Sequence, residues 1–237
     1  MPETNTQTRR QRLEAREDAI IQGAHAEFVA NGFDGAKVAD IARRAGVAEG
    51  TLYLYFRNKR ALLAAVIEAF YAKVTETAEH GVMERSETAE RLEFLARHHL
   101  GSCLDEWGIL SLAVPEWARV TEYRDSEFIE LNRTYVGVFD RVIREGISRG
   151  EVNGEMPLHV MRDLFYGGLE YSTRSYMVRG QDMDDEQAID RLSEQVMAMI
   201  LPAFGLAGKP QSEPGEDEIG QLAQRLENAV DRLEQLK

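Results

Sequence analysis

Residues 38–59, VADIARRAGVAEGTLYLYFRNK, contain the clearest structural signal in this 237-residue chain. Their first half carries apolar residues at helical spacing, and this stripe ends at Gly46, a residue typical of helix ends. Apolar residues return after a short turn at Val47, Leu52 and Phe56. Two short helices joined by a turn that contains glycine predict a helix-turn-helix, a motif whose second helix enters the major groove of DNA.

The second helix of this motif combines hydroxyl, aromatic and aliphatic groups. At about 100° per residue, a helix that turns Leu52 inward also turns Phe56 inward. The residues that then face outward or lie on the flanks are Gly50, Thr51, Tyr53, Leu54 and Tyr55. Hydroxyls suit phosphates and aliphatic carbon suits thymine methyl groups, although the same residues also suit the core of a small helical domain. The pattern alone leaves both interpretations open.

The residues in and around the motif resemble the DNA-binding domain of the TetR (tetracycline-repressor) family over residues 12–65. The segments that carry the resemblance are FVANGFD (28–34), VADIA (38–42), AGV (45–47), GTLY (50–53) and YFRNK (55–59). It implies an all-α fold whose helical C-terminal domain binds an effector and forms a homodimer. It also implies a pseudo-palindromic DNA operator, since the dimer axis relates two recognition helices.

The resemblance assigns DNA contacts to two sets of residues. Backbone contacts fall to Thr51, Tyr53, Tyr55 and Lys59, and base-edge contacts fall to Glu49, Gly50 and Leu54. Lys37 departs from the family pattern, in which Ser or Thr often caps the second helix. A lysine there provides no cap and faces the positive end of the helix dipole. It is either a tolerated surface residue or a further phosphate contact.

Composition bounds the class of protein. A hydrophobic content of 43% over 237 residues suits one large or two modest domains. A single cysteine, Cys103, excludes an internal disulfide framework and suits a reducing cytoplasm. The sequence contains neither a signal-like apolar run nor the ~18 apolar residues of a membrane span. We therefore expect a soluble cytoplasmic protein with no membrane partner.

Charge is divided unevenly along the chain, whose net charge is −13. Residues 1–60 hold ten Lys and Arg against eight Asp and Glu, whereas the remainder holds eighteen against thirty-three. This asymmetry places the DNA-binding end at the N-terminus, although acidic surfaces also serve solubility. A basic cluster near the N-terminus either reaches DNA beside the motif or is a solvated end. Its members are Arg9, Arg10, Arg12 and Arg16.

The rest of the chain shows helical periodicity, which predicts an all-α fold class. Asn58 is expected to cap a long helix that ends near Gly81 and acts as a lever of roughly 30 Å between two domains. Further helices are predicted at 88–107, 108–123 with a break at Pro115, 126–149, 157–178 and 185–203. The predicted domains are a helix-turn-helix domain over 1–60, with a disordered arm at 1–8, and a ligand-binding and dimerisation domain over 61–207.

The C-terminal residues are not explained by the resemblance. Residues 208–218, GKPQSEPGEDE, predict a linker, and 219–237 predict an extra amphipathic helix with apolar residues at heptad positions. The repeat is shorter than the three to four heptads typical of a coiled coil. We expect this helix to pack on the body or its dimer mate, or to join dimers into a larger bundle.

Aromatic residues cluster in the middle of the chain, where they indicate either a core or a ligand pocket. The resemblance places several of them around an effector pocket, and Arg174, on an otherwise largely uncharged stretch of helix, suits an anionic group. The residues predicted to line it are Phe70, His99, Trp107, Trp117, Tyr135, Phe139, Phe165 and Arg174. His99 and Cys103 are four apart, but a third metal ligand is not evident, so neither a metal nor another cofactor is predicted. Gly167 and Gly168 each cost about 1 kcal/mol relative to alanine within a helix. Since the resemblance implies that the last two helices of the body pair across a two-fold axis, we expect both glycines at that dimer interface.

Three segments narrow the expected function. Residues 46–59, 143–152 (IREGISRGEV) and 164–170 (LFYGGLE) resemble the TetR subgroup that represses fatty-acid degradation genes and releases DNA on binding long-chain acyl-CoA. A multidrug or aromatic-ligand sensor that controls an efflux pump is the alternative within the family. A helical enzyme or carrier with an accessory helix-turn-helix, and an architectural DNA-binding protein without a ligand, are alternatives from other classes. No nucleophile elbow, P-loop or paired-carboxylate pattern indicates an enzyme.

Overall fold

The computed structural model describes residues 3–106, 109–110, 127–179 and 186–206. In these ranges the regular elements are all α-helices, which confirms the predicted fold class. They are α1 (Glu3–Gly35), α2 (Val38–Arg44), α3 (Glu49–Tyr55), α4 (Lys59–Met83), α5 (Thr88–Asp105), α6 (Glu127–Ser148), α7 (Leu158–Val178) and α8 (Glu186–Ala203). None of these helices is both long and apolar enough to cross a bilayer. The predictions that lie outside the described residues are those for Trp107, Pro115, Trp117, 208–218 and 219–237.

Helix α1 begins at Glu3, within the segment 1–8 for which the sequence predicts a disordered arm. No glycine or proline stands between Glu3 and Gln22, and Arg10 donates to Glu14 one turn later at 2.7 Å. The helix therefore propagates beyond the packed part of the domain. Near its other end the backbone leaves helical geometry at Gly32, with φ of 67° and ψ of 175°. This conformation, which favours glycine, redirects the chain toward α2.

The predicted helix-turn-helix forms from α2 and α3. The amide of Val47 donates to the carbonyl of Ala42 at 3.0 Å, and the amide of Gly46 donates to that of Arg43 at 3.2 Å. With Gly46 at a φ of 67°, these bonds form a Schellman motif that ends α2 and turns the chain into α3. The predicted inward residues of both helices are buried, namely Ile41, Ala42, Leu52 and Phe56.

Helix α4 connects the helix-turn-helix to the second domain. The side chain of Asn58 accepts a hydrogen bond from the amide of Ala61 at 2.8 Å, which confirms the predicted N-cap. The 25 residues of α4 span about 37 Å and pack first against α1 and then against α5 and α6. The helix continues past Gly81 to Met83, and a side chain at Gly81 would collide with the ring of Phe94 on α5. This glycine allows α4 and α5 to approach closely.

Helices α5 to α8 form the second domain around an apolar core. Helix α5 occupies its centre, since it packs against α4, α6, α7 and α8. The largest side chains buried in this core are Leu92, Leu95, Leu100, Phe139, Phe165 and Phe204. Gly150, with φ of 72°, lies at the predicted stop after α6, and Pro157 occupies the N-cap of α7. The central position of α5 places His99 at the meeting point of three helices.

Replacing Asn58 with alanine should lower the free energy of unfolding by about 1 kcal/mol, because the Ala61 amide loses its acceptor. Urea unfolding followed by circular dichroism measures the loss. Asn58→Asp is the matched control, since its carboxylate retains the capping oxygen and should cost much less. Equal losses in the two variants would contradict the capping role.

Candidate nucleic-acid interface and effector cleft

The outer face of α3 carries the residues expected to meet DNA. Helix α3 has seven residues, and two of its large side chains are exposed: Leu54 is 84% exposed and Tyr53 is 48% exposed. Glu49 and Gly50 lie on the same exposed surface. The predicted contacts that are half-buried on its flanks are Thr51 and Tyr55. An exposed helix with hydroxyl and aliphatic groups matches the chemistry of phosphate and thymine-methyl contacts.

The two lysines predicted to contact DNA have different surroundings. Lys37 is exposed at the N-cap of α2, and its side chain makes no capping hydrogen bond. Lys59 Nζ donates to the carbonyls of Asp34 at 3.2 Å and Ala36 at 3.0 Å, and it lies 4.7 Å from the ring centre of Phe33. Lys59 therefore ties the first turn of α4 to the corner between α1 and α2. An ammonium has three donors, so one remains for the predicted phosphate contact.

A buried carboxylate fixes α2 on α1. Glu27 is 3% exposed and accepts hydrogen bonds from Arg44 Nε at 2.9 Å and from Asn31 Nδ2 at 2.7 Å. A charge this buried requires partners, because removing it from water is costly. This anchor was not predicted from the sequence. Its only local signal is an acidic residue on the apolar face of α1, next to Phe28.

A side-chain contact also joins the two domains directly. His25 Nε2, on α1, lies 2.5 Å from Glu106 Oε2, just beyond the end of α5. The two residues are 81 positions apart, so no local pattern predicts the pair. It provides a connection between the domains in addition to α4.

A cleft of about 460 Å³ opens between α5, α6 and α7, a size typical of small-molecule sites. Its lining mixes charged, polar and apolar side chains: His99, Ile129, Asn132, Arg133, Tyr135, Val136, Arg162, Asp163, Tyr166, Gly167 and Glu170. The structure thus brings together His99 and Tyr135, both predicted to line an effector pocket. Three lining residues were not predicted from the sequence, namely Arg133, Arg162 and Tyr166. In the sequence, polar residues at such positions cannot be distinguished from those on an ordinary solvent-exposed helix face.

The floor of the cleft carries polar side chains within an aromatic cluster. His99 Nδ1 lies 3.2 Å from the Tyr135 hydroxyl, and Cys103 Sγ lies 3.6 Å from His99 Nε2. Burial, with a smaller contribution from His98, lowers the pKa of His99 to about 3, so its imidazole is neutral near pH 7. The Tyr166 hydroxyl is buried without a hydrogen-bond partner among the described residues. An unpaired buried hydroxyl costs about 1–3 kcal/mol, so a ligand that pairs with it gains affinity.

The other described residues of the predicted effector pocket lie away from this cleft. Phe139 and Phe165 are fully buried, with ring centres 4.8 Å apart, and form the core behind it. Phe70 is half-buried on α4, where its ring centre lies 5.4 Å from that of Tyr71. Arg174 is exposed on α7 beyond the cleft. Within the described ranges, no three His, Cys, Asp or Glu side chains are grouped as a metal site requires.

Helix α7 exposes an apolar stripe on another face. Leu164, Tyr171 and Val178 recur every seven residues and are 48%, 75% and 83% exposed. Met199 on the neighbouring α8 is 70% exposed. Apolar side chains exposed together on adjacent helices are typical of a protein–protein interface.

The two adjacent glycines of α7 have different surroundings, since one faces α8 and the other faces the cleft. A side chain at Gly168 would make ordinary contact with Val196 of α8, at 3.6 Å. At Gly167 it would meet nothing within 4 Å, and this residue lines the cleft. The assignment of both glycines to a dimer interface stays a prediction.

These features define a two-domain regulator in which a helix-turn-helix is joined to a helical domain with a small-molecule cleft. A family model described as bacterial regulatory proteins of the tetR family matches residues 20–66. A second, described as the tetracyclin repressor-like C-terminal domain, matches residues 85–200. The chain belongs to the TetR family of bacterial regulatory proteins, as its sequence resemblance implied.

Individual relatives cover most of the chain at low identity. The fatty acid metabolism regulator protein of Bacillus subtilis (strain 168) is 24% identical over 182 residues, which are 77% of this chain and 92% of that protein. The HTH-type transcriptional repressor AcnR of Corynebacterium diphtheriae is 26% identical over 189 residues, 78% of this chain and 93% of the repressor. The crystal structure of FadR from Bacillus subtilis in complex with stearoyl-CoA has a TM-score of 0.65 at 24% identity, covering 77% of this chain and 96% of that one.

Replacing Glu27 with alanine should lower the free energy of unfolding by about 2 kcal/mol, since it removes the acceptor of a charge-assisted bond from a buried position. It should also weaken DNA binding, because α2 loses its attachment to α1. Urea unfolding and fluorescence anisotropy measure the two effects. Asp40→Ala is the control, because its pair with the exposed Arg43 should contribute less than about 1 kcal/mol. Equal losses for the two variants would contradict the anchoring role of Glu27.

Proposed function

We propose that the chain is a homodimeric transcriptional repressor that leaves a pseudo-palindromic operator when a long-chain acyl-CoA binds its second domain. The observation that carries this proposal is the cleft between α5, α6 and α7, in a domain that α4 joins to the helix-turn-helix. FadR of Bacillus subtilis, which has the same fold, binds stearoyl-CoA, and this supports the ligand class. The protein on this proposal acts in the cytoplasm, is not an enzyme and requires no cofactor.

The cleft offers partners for both parts of an acyl-CoA. Ile129, Val136 and the aromatic floor suit an acyl chain, whereas guanidinium groups suit phosphates. Asp140 holds Arg162 through bonds of 2.9 and 3.1 Å, which offsets its charge. Arg133 pairs with the exposed Glu130 of its own helix at 2.6 Å, a contact worth little in water. Arg133 is therefore the better phosphate partner.

The aromatic floor also supports a second candidate function. The His99 ring centre lies 6.0 Å from that of Tyr135 and 4.9 Å from that of Tyr166. Rings grouped in this way suit a planar aromatic ligand as well as an acyl chain. A sensor of aromatic drugs is therefore the alternative that the binding experiment must separate from the acyl-CoA sensor.

Helix α5 links the cleft to the DNA-binding domain. It contributes His99 to the floor, and Glu106, which contacts His25 of α1, follows about 10 Å further along. A ligand that displaces α5 therefore also displaces a contact of the helix-turn-helix domain. To act as a switch it must stabilise the conformation that does not bind DNA by several kcal/mol.

We place the dimer interface on α7 and α8. The apolar stripe of Leu164, Tyr171 and Val178 has the seven-residue repeat that helix pairing uses, and Met199 widens it. A two-fold axis through this surface would pair each stripe with its copy. The resulting four-helix interface would hold two α3 helices at a fixed separation.

Replacing Tyr166 with phenylalanine should weaken stearoyl-CoA binding by up to about tenfold, because the ligand loses a hydrogen bond. The free energy of unfolding without ligand should not fall, since the hydroxyl has no partner among the described residues. Calorimetric titration with stearoyl-CoA, free CoA and a planar cationic dye, together with urea unfolding, measures these effects. Tyr53→Phe, which alters an exposed tyrosine in the other domain and is measured here without DNA, is the control. Binding of the dye but not of stearoyl-CoA would favour the drug sensor.

Replacing Tyr171 with glutamate should convert the dimer to a monomer and weaken operator binding, because it places two carboxylates at the two-fold interface. Light scattering measures the mass of the protein, and fluorescence anisotropy measures its affinity for the operator. Met83→Glu alters an apolar residue that is 68% exposed at the end of α4 and should leave the dimer intact. A dimeric Tyr171→Glu protein would contradict this interface.

A further inference from the structure

The first half of α1 projects from the rest of the molecule. Every residue from Arg9 to Asp18 is exposed, and burial begins only at Ile20 among the described side chains. A helix that buries no face is marginal in water. This segment therefore lacks the stabilisation that the remainder of α1 obtains from α2 and α4. A partner surface would supply it.

Charge is segregated around this projecting segment. At about 100° per residue, three arginines fall within about 60° of one another. They form the arginine stripe: Arg9, Arg12 and Arg16. Glu14 and Asp18 lie on the opposite side of the helix, and Arg10, off the stripe, pairs with Glu14 at 2.7 Å. One face of the segment is therefore basic although the segment as a whole is nearly neutral.

The arginine stripe lies on the side of α1 that faces α2. Gly23 and Glu27 continue the same helical face, and a side chain at Gly23 would lie 3.1 Å from the Ile41 carbonyl and 3.3 Å from the Ala45 amide. Gly23 therefore sits at the end of α2, where the chain turns toward α3. At 1.5 Å per residue, the stripe runs from about 10 Å to about 21 Å beyond that point. It projects past the turn that begins the recognition helix.

We propose that the arginine stripe binds the phosphates of DNA that flanks the half-site contacted by α3. This proposal rests on the proposed function, because it requires operator binding. With a rise of about 3.4 Å per base pair, the stripe, which is about 11 Å long, can follow roughly three base pairs. In a dimer the two stripes would extend the contacted DNA on both sides. Arginines that contact phosphates carry no base information, so the stripe adds affinity and salt dependence without changing sequence preference.

The composition of the segment favours DNA over a membrane surface. Helices that lie on bilayers bury a broad apolar face beside their basic residues. Here Leu13 is the large apolar residue near the stripe, and it is 48% exposed. A rigid polyanion matches a straight row of guanidinium groups without requiring an apolar face.

The test compares two duplexes that carry the palindrome which the protein itself selects from a random DNA pool. One contains only the palindrome, about 20 base pairs, and the other adds flanks of about ten base pairs on each side. Salt-titrated anisotropy is measured for the full chain and for the Arg9→Gln, Arg12→Gln, Arg16→Gln triple variant. The single variants Arg12→Gln and Arg10→Gln form a matched pair, since each removes one arginine but only Arg12 belongs to the stripe. Circular dichroism and thermal melting check that each variant folds.

We expect the unaltered chain to bind the long duplex at least tenfold more tightly than the short one, and the triple variant to lose this advantage. The slope of log affinity against log salt on the long duplex should fall by about 0.9 for each phosphate contact removed. Arg12→Gln should lower that slope and Arg10→Gln should not.

Three outcomes would overturn the proposal. A triple variant with an unchanged slope on the long duplex excludes phosphate contacts by the stripe. Equal losses on both duplexes place the contacts inside the palindrome rather than on its flanks. Binding of the unaltered chain to phosphatidylglycerol vesicles, with no preference for the long duplex, assigns the stripe to a membrane. Failure to select any duplex would overturn the repressor function itself, whereas a selected palindrome without a flank effect would overturn only the stripe.

Discussion

The ammonium of Lys59 makes three contacts at the junction between the domains. Two are hydrogen bonds to the carbonyls of Asp34 and Ala36, and the third is with the Phe33 ring. The charge strengthens both hydrogen bonds, and Asn58 caps the same turn of α4 from the preceding position. The start of α4 is thus fixed to the corner that leads into the helix-turn-helix. A displacement of the start of α4 therefore also pulls on the corner between α1 and α2.

The contact between His25 and Glu106 makes this junction a two-point attachment. One point is the start of α4, and the other joins the middle of α1 to the end of α5. A relative shift of α4 and α5 therefore rotates the helix-turn-helix domain instead of translating it. Half-sites in an operator recur at about 34 Å, so in the proposed dimer a rotation of each DNA-binding domain within its own subunit would change the separation of the two α3 helices. A cleft partly walled by α5 is well placed to cause such a shift.

The sequence predicted those features that depend on neighbours along the chain. Helical spacing identified α2 and α3, and Asn58 and Gly46 marked helix ends, because capping acts within one turn. The anchor at Glu27 and the pair of His25 with Glu106 depend on side chains brought together by the fold, so spacing does not reveal them. The start of α1 illustrates a different limit. A polar composition indicates that a segment has no core to join, but it does not indicate where a helix that begins elsewhere will end.

The effector cleft shows a further limit of periodicity. Tyr135 and Phe139 are one turn apart on α6 and both point inward, yet Tyr135 lines the cleft and Phe139 belongs to the core. The spacing of apolar residues indicates which side chains point inward, but it does not indicate the distance to the neighbouring helix. On α7, Gly167 faces the open space of the cleft, since a Cβ there would meet nothing within 4 Å.

The polar floor of the cleft explains how binding there can bias a conformation. A ligand shifts an equilibrium only by the difference between its affinities for the two states. Purely apolar contacts with the core would persist through a small shift of α5 and would contribute little to that difference. Hydrogen bonds depend strongly on distance and angle, so a ligand atom paired with the Tyr166 hydroxyl binds the state that aligns it and loses the bond in the other. That hydroxyl has no partner among the described residues, so a ligand atom that pairs with it replaces no hydrogen bond within this part of the chain.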